Sequence, residues 1–348
     1  MTSMNPFNIN FGKEPNSIIS RTSDLQEVYD SFSSDDPFSN VYILTGIRGS
    51  GKSVAMSTIV DYYKSLKNWI CVELNPESDM LEQLASKLLD EGKLKKIFLK
   101  SEFNYSFNGI GIKIEGNIPV SNISSLLKRE FEYLSKKNIK VLVSVDEVVS
   151  NNHMKVFAHE FQTLLREDFF VCLLMTGLYK NISTLENQKS LTFLYRAPKI
   201  YLKELNVKSI TNSYMNIFEI IEKDAVDLAK LTKGYAFAYQ LLGNLLYESK
   251  KKSVDDKILQ RYDELLHERA YDVIFNELTN NEKMILKSSS IDNSNTYIIN
   301  HTGLTKSQLS QYKKELSQNG IIIPDRNSVI YRLPRFKEYL DFIRYYDE

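Results

Sequence analysis

Five short apolar runs alternate with segments of helical period through the first 205 residues. Val41-Tyr42-Ile43-Leu44-Thr45, Trp69 to Leu74, Val141-Leu142-Val143-Ser144-Val145 and Phe169 to Met175 read as buried strands, and Ile200-Tyr201-Leu202 as a last short one. Between them the apolar positions fall at helical spacing. Val54, Ala55, Met56, Ile59, Val60, Tyr63 and Leu66 share one face; Leu81, Leu84, Leu88 and Leu89 share another. Helices are also expected over 21–32, 121–137 and 151–166. Strands alternating with helices predict an α/β domain with a parallel sheet covered on both faces. One stretch breaks the rhythm: Phe103, Tyr105 and Phe107 alternate, Asn108-Gly109 follows, and Ile110, Ile112 and Ile114 alternate again. That pattern predicts a β-hairpin inserted at about 100–116.

From Asn206 the pattern is helical. Segments 206–220, 223–232 and 235–250 suit a small all-α lid, and 254–277 a further helix. From Thr279 the character changes again. Asn281–Ser288 and Tyr297–His301 read as helices, Thr305 as an N-cap, and 306–318 as a third helix closed by Asn319-Gly320. Ile321-Ile322-Ile323 and Val329 to Leu333 then form a hairpin, the order of a winged helix. The expected division is 1–205, an α/β domain; 206–278, the lid; and 279–348, the winged helix.

Composition narrows little. Of 348 residues 43% are apolar and 25% charged, with 44 Lys+Arg against 44 Asp+Glu, so any basic surface must be local. Cys71 and Cys172 sit in apolar runs and read as thiols of a reducing compartment. No C-x-x-C or histidine cluster suggests a structural metal. The longest apolar run is too short for a bilayer, and the polar first ten residues are not a signal peptide; a cytoplasmic protein without membrane contact is expected.

Chemistry enters between the first strand and its helix. Gly46-Ile47-Arg48-Gly49-Ser50-Gly51-Lys52-Ser53 fits G-x-x-x-x-G-K-[ST], the phosphate-binding loop. Its amides and the start of the following helix, through Val54, would cradle ATP phosphates. Lys52 would reach the β- and γ-phosphates, and the Ser53 hydroxyl would ligate Mg²⁺.

Hydrolysis needs more. Asp146-Glu147 ends the strand 141–145, the end at which open α/β sheets bind ligands. Asp146 would hold Mg²⁺ through its water shell and Glu147 would act as general base. Thr176, ending the next strand, would orient the water, unless it is only a strand cap. Arg196 would act as an arginine finger on a neighbouring subunit, unless it forms a surface ion pair.

Taken in order, Asn5-Pro6-Phe7, Phe11-Gly12, Pro15, Ile18-Ile19-Ser20-Arg21, the loop 46–53, Val141 to Glu147 and Met175-Thr176-Gly177 resemble the AAA+-related ATPases of the archaeal-ATPase and STAND type, relatives of the origin-recognition ATPases. The resemblance covers about residues 5–245. It implies an ATPase core, an all-α lid and a homo-oligomer that assembles on ATP binding. The leading segment, with Phe7 and Arg21, stands where such proteins cover the base; a strap packed on the core is the alternative. Gly234-Tyr235-Ala236-Phe237 stands where the family often has Gly-x-Pro, and Ser20 where it has glycine.

The C-terminal segment carries its own signal. Between Asn300 and Lys337 seven positive residues face two negative ones, a local +5, which suits a phosphate backbone. Lys306, Gln308, Gln311 and Lys314 on the third helix and Arg326 in the wing are the candidate contacts to duplex DNA. The alternative is a nucleotide-controlled switch whose winged helix contacts protein.

Overall fold

The computed structural model describes residues 4–9, 16–91, 123–188 and 191–347. They fall into two compact units: one of segments 22–45 and 52–201, the other of 1–21, 46–51 and 202–348. The hairpin expected at 100–116 lies outside the described residues.

The first unit is the α/β layer. Its elements run α1 (Thr22–Ser33), β1 (Val41–Thr45), α2 (Lys52–Lys64), β2 (Trp69–Leu74), α3 (Met80–Asp90), α4 (Ile123–Lys136), β3 (Lys140–Val145), α5 (Asn152–Arg166), β4 (Val171–Gly177), α6 (Tyr179–Glu186), α7 (Thr192–Arg196) and β5 (Lys199–Tyr201). All strand pairs are parallel, in the order β2-β3-β4-β1-β5. The continuous apolar runs are explained by burial: every residue of β1 and β4, and Val141 to Val145 of β3, is buried. The amphipathic face predicted for α3 packs there through Leu84 and Leu88, and α5 adds Phe157 and Phe161.

Strand order is the feature that periodicity does not carry. Strands β1 and β2 are consecutive in sequence, yet β3 and β4 lie between them. The register pairs Val145 with Met175 and Thr45 with Gly177. The carboxyl ends of β3, β4 and β1 therefore stand side by side, where the chain from β1 crosses one way and that from β4 the other.

The second unit is helical: α8 (Val207–Phe218), α9 (Glu222–Thr232), α10 (Ala236–Ser249), α11 (Asp256–Leu266), a π-helical turn (His267–Tyr271), α12 (Asp272–Asn276), α13 (Asn280–Ile291), α14 (Asn295–Thr302), α15 (Lys306–Gln318) and, after a two-stranded hairpin, α16 (Phe336–Asp347). The hairpin pairs β6 (Ile322–Ile323) with β7 (Ile330–Tyr331) antiparallel. Caps set several of these starts. The Asn206 side chain accepts from the amides of Lys208 and Ser209, and Thr279 and Thr305 form capping boxes with Glu282 and Gln308. Helices α6, α7 and α16 did not emerge from the sequence; the first two are short, and α16 follows directly on the hairpin.

Phe7 is a core residue. Its ring stacks on Phe218 at 5.7 Å and meets Tyr214 and Tyr239, with 3% of its surface exposed. Of the two roles considered for the leading segment, Phe7 takes that of a strap anchor. Cys71 and Cys172 are free thiols, and burial pushes the Cys71 thiol up to about 12. No helix among the described residues is long and apolar enough to cross a membrane.

Candidate functional site

Within the helical unit, loop 46–51 is held by its carbonyls. Ile47 O accepts from Ser50 N at 3.1 Å and Gly49 O from Phe237 N at 3.0 Å. Arg48 O accepts from the Tyr235 hydroxyl at 2.7 Å, and Ser50 O from Arg21 Nη2 at 2.9 Å. Four consecutive carbonyls thus have donors. In a trans peptide the N–H points opposite to the C=O of the preceding residue. Tying Arg48 O and Ser50 O therefore aims the amides of Gly49 and Gly51 to the other side, where neither finds an acceptor among the described residues. Successive main-chain amides turned to one side without internal acceptors can bind an anion. Gly49 is needed twice over: its φ is +77°, and a Cβ there would lie 2.9 Å from Tyr235 Cζ.

Arg21, expected at the nucleotide, spends two donors on the carbonyls of Ser50 and Lys203. It braces the loop from behind. Arg48 pairs with Glu277 at 3.1 Å, and Ile47 lies against Gly320, whose Cβ position is 3.2 Å from that of Ile47. Neither tie was visible in the sequence, since each spans more than 220 positions.

In the α/β unit, Lys52 is the buried first residue of α2 and Ser53 beside it is exposed. At the ends of β3 and β4 three predicted residues come together. The Thr176 hydroxyl donates to Asp146 Oδ1, and Thr176 Oγ1 accepts the Glu147 amide at 3.0 Å. Asp146 Oδ1 also accepts from that amide at 3.1 Å. Both bonds use Oδ1, so Oδ2 has no donor among the described residues. Glu147 has φ +52°, a left-handed conformation that costs a non-glycine residue about 1–3 kcal/mol. The strain is held by the bond from Val148 N to Thr176 O, 2.8 Å, and it presents an exposed Glu147 side chain just past a buried strand. Ser53 and Asp146 offer only oxygen donors, one hydroxyl and one carboxylate. That set fits Mg²⁺, which keeps most of its shell as water and phosphate. Among the described residues no cluster of three His, Cys, Asp or Glu side chains forms a metal cage.

Arg196 ends α7, before the amino end of β5, whereas Asp146 follows the carboxyl end of β3. In a parallel sheet these are opposite ends. Arg196 is exposed and has no ion pair among the described residues.

On the C-terminal segment the face of α15 made by Lys306, Ser307, Ser310, Gln311 and Lys314 is exposed. Arg326 is exposed as well. The local charge is smaller than the count of +5 suggested. Lys313 is buried, donating to Asn295 Oδ1, Asp325 O and Ser328 O at 2.8–2.9 Å. Arg332 pairs with Glu204, and Arg335 with Asp263 and Glu338. These three cations serve the fold. Gln308 is exposed but its carbonyl oxygen closes the Thr305 capping box, and Gln311 bonds Glu315.

No protein-family model matches the sequence, and no curated protein matches it. The fold is found among solved structures. The chain is similar to the Walker-type ATPase paby2304 of Pyrococcus abyssi, with TM-score 0.67, 14% identity and 96% of this chain against 99% of that one. It is similar to the ORC2 protein of Aeropyrum pernix, solved in ADPNP–ADP complexes, with TM-score 0.57, 13% identity and 97% of each chain. Cdc6p from Pyrobaculum aerophilum gives TM-score 0.51 at 13% identity over 97% of each chain. At such identities the likeness establishes the fold, that of P-loop ATPases with a helical C-terminal region.

Proposed function

We propose that this chain binds Mg-ATP through loop 46–53 and hydrolyses it, as a AAA+-type ATPase with an all-α lid and a C-terminal winged helix. The observation that supports this best is the loop itself: four carbonyls tied back, and the Gly49 and Gly51 amides aimed away without acceptors. The solved relatives of the same fold are described as a Walker-type ATPase and as an ADPNP–ADP complex. Lys52 neutralises the β- and γ-phosphates, and the start of α2, through Val54, meets them with its positive end. Ser53 and Asp146 would hold Mg²⁺, which supplies charge neutralisation at the phosphates when bound. Glu147 takes a proton from the attacking water, and Thr176 fixes the Asp146–Glu147 turn through its bonds to Asp146 Oδ1 and the Glu147 amide. Arg196 serves a neighbouring subunit's nucleotide, because its own strand end is the wrong one. The deciding experiment is phosphate release from Mg-ATP by purified protein; saturable binding with turnover is expected, and absence of both removes the reading.

Duplex DNA is the proposed partner of α15. Lys306, Lys314 and Arg326 supply phosphate contacts, and Gln311 with Ser307 and Ser310 faces the groove. Salt-sensitive binding of duplex by the full chain tests it; no binding at low salt would exclude it.

One observation favours a second reading, a slow nucleotide switch. Loop residues Ile47 and Arg48 touch Gly320 and Glu277, so the C-terminal segment bears directly on the phosphate loop. Assembly on Mg-ATP with negligible turnover, read by light scattering of the same samples, would select it.

A further inference from the structure

Loop amides grip phosphate only when they are aimed, and part of the aiming comes from residues outside the motif. We propose that Tyr235 is a positioning residue for the nucleotide's phosphates, acting through the Arg48–Gly49 peptide; this rests on the Mg-ATP reading of the loop. The Tyr235 hydroxyl donates to Arg48 O at 2.7 Å. Because C=O and N–H oppose one another across that peptide, the bond points the Gly49 amide at the ligand side.

The hydroxyl is itself well placed to impose an orientation. Tyr235 is 5% exposed, its own amide bonds Thr232 O at 2.9 Å, and its carbonyl accepts from Tyr239 N at 3.0 Å at the start of α10. Two residues on, Phe237 N holds Gly49 O. The ring therefore belongs to the helical scaffold, and the loop conforms to it. Burial raises the phenol pKa, so the group stays a neutral donor at any working pH. Phenylalanine would keep the ring and lose only the hydroxyl that holds Arg48 O.

Tyr239 supplies the comparison. It is equally buried in the same helices, and its hydroxyl bonds Ser17 at 2.8 Å and Ser213 at 2.7 Å. Its replacement by phenylalanine removes both of these bonds without touching the loop.

The experiment titrates Mg-ATP into the full chain by calorimetry, for wild type, Tyr235→Phe and Tyr239→Phe, and records turnover and the unliganded melting midpoint of each. Expected for Tyr235→Phe is about a tenfold weaker Kd and a matching rise in KM, with kcat within about twofold and a melting midpoint close to that of Tyr239→Phe. Tyr239→Phe should bind as wild type does. Equal affinity in wild type and Tyr235→Phe overturns the proposal, and so does equal weakening by both variants, which would make the effect one of lid packing. Wild type that does not bind Mg-ATP at all defeats the underlying nucleotide reading, a result recognisable before any variant is compared.

Discussion

The hydroxyl of Thr176 stands between Asp146 and Glu147, donating to the carboxylate of the first and accepting the amide of the second at 3.0 Å. It is fully buried at the end of β4, next to the strand that carries both acids. A single oxygen thus sets where one carboxylate sits and how the backbone turns into the other.

Thr176→Val keeps the shape and removes that oxygen. Turnover should fall about tenfold to a hundredfold, with Kd for Mg-ATP changed by no more than about threefold. Steady-state kinetics alongside calorimetry distinguishes this from a strand cap, for which both quantities would stay at wild-type values.

Glu147→Gln should retain Mg-ATP binding and lose about two to four orders of magnitude in kcat. Hydrolysis at the wild-type rate in this variant would take Glu147 out of the reaction.

For the C-terminal face, Lys306→Ala and Lys314→Ala should each weaken duplex binding uniformly across sequences. Each should also lower the slope of log K against log salt by about one. Lys313→Met should leave that slope alone, since its ammonium is spent on Asn295, Asp325 and Ser328. It should instead destabilise the hairpin by about 1–3 kcal/mol, read by chemical denaturation.

The leading strap is tested through its anchor. Phe7 packs directly on Gly243, where a Cβ would lie 2.6 Å from the ring's Cζ. Phe7→Ala should cost about 3–5 kcal/mol of stability in denaturant melts. Gly243→Ala should be destabilising too, because the ring has no room to retreat among Tyr214, Phe218 and Tyr239.

Local chemistry made much of this chain legible. The apolar runs marked the strands because a parallel sheet buries both faces, and Thr305 marked a helix start because a side-chain oxygen must meet orphan amides there. The phosphate loop and the pair Asp146-Glu147 were readable for the same reason: their chemistry resides in contiguous residues. Contacts across the chain were not readable. Strand order β2-β3-β4-β1-β5 brings Thr176 to Asp146, and no periodicity encodes which strands become neighbours. Arg21, Tyr235 and Phe237 meet the loop's carbonyls from up to 188 positions away, and Lys313, Arg332 and Arg335 turned from surface charge into internal struts. Sequence alone marked the residues proposed to bind phosphate; packing decided which way their backbone groups are turned, because a peptide's orientation is set by whatever holds its other side.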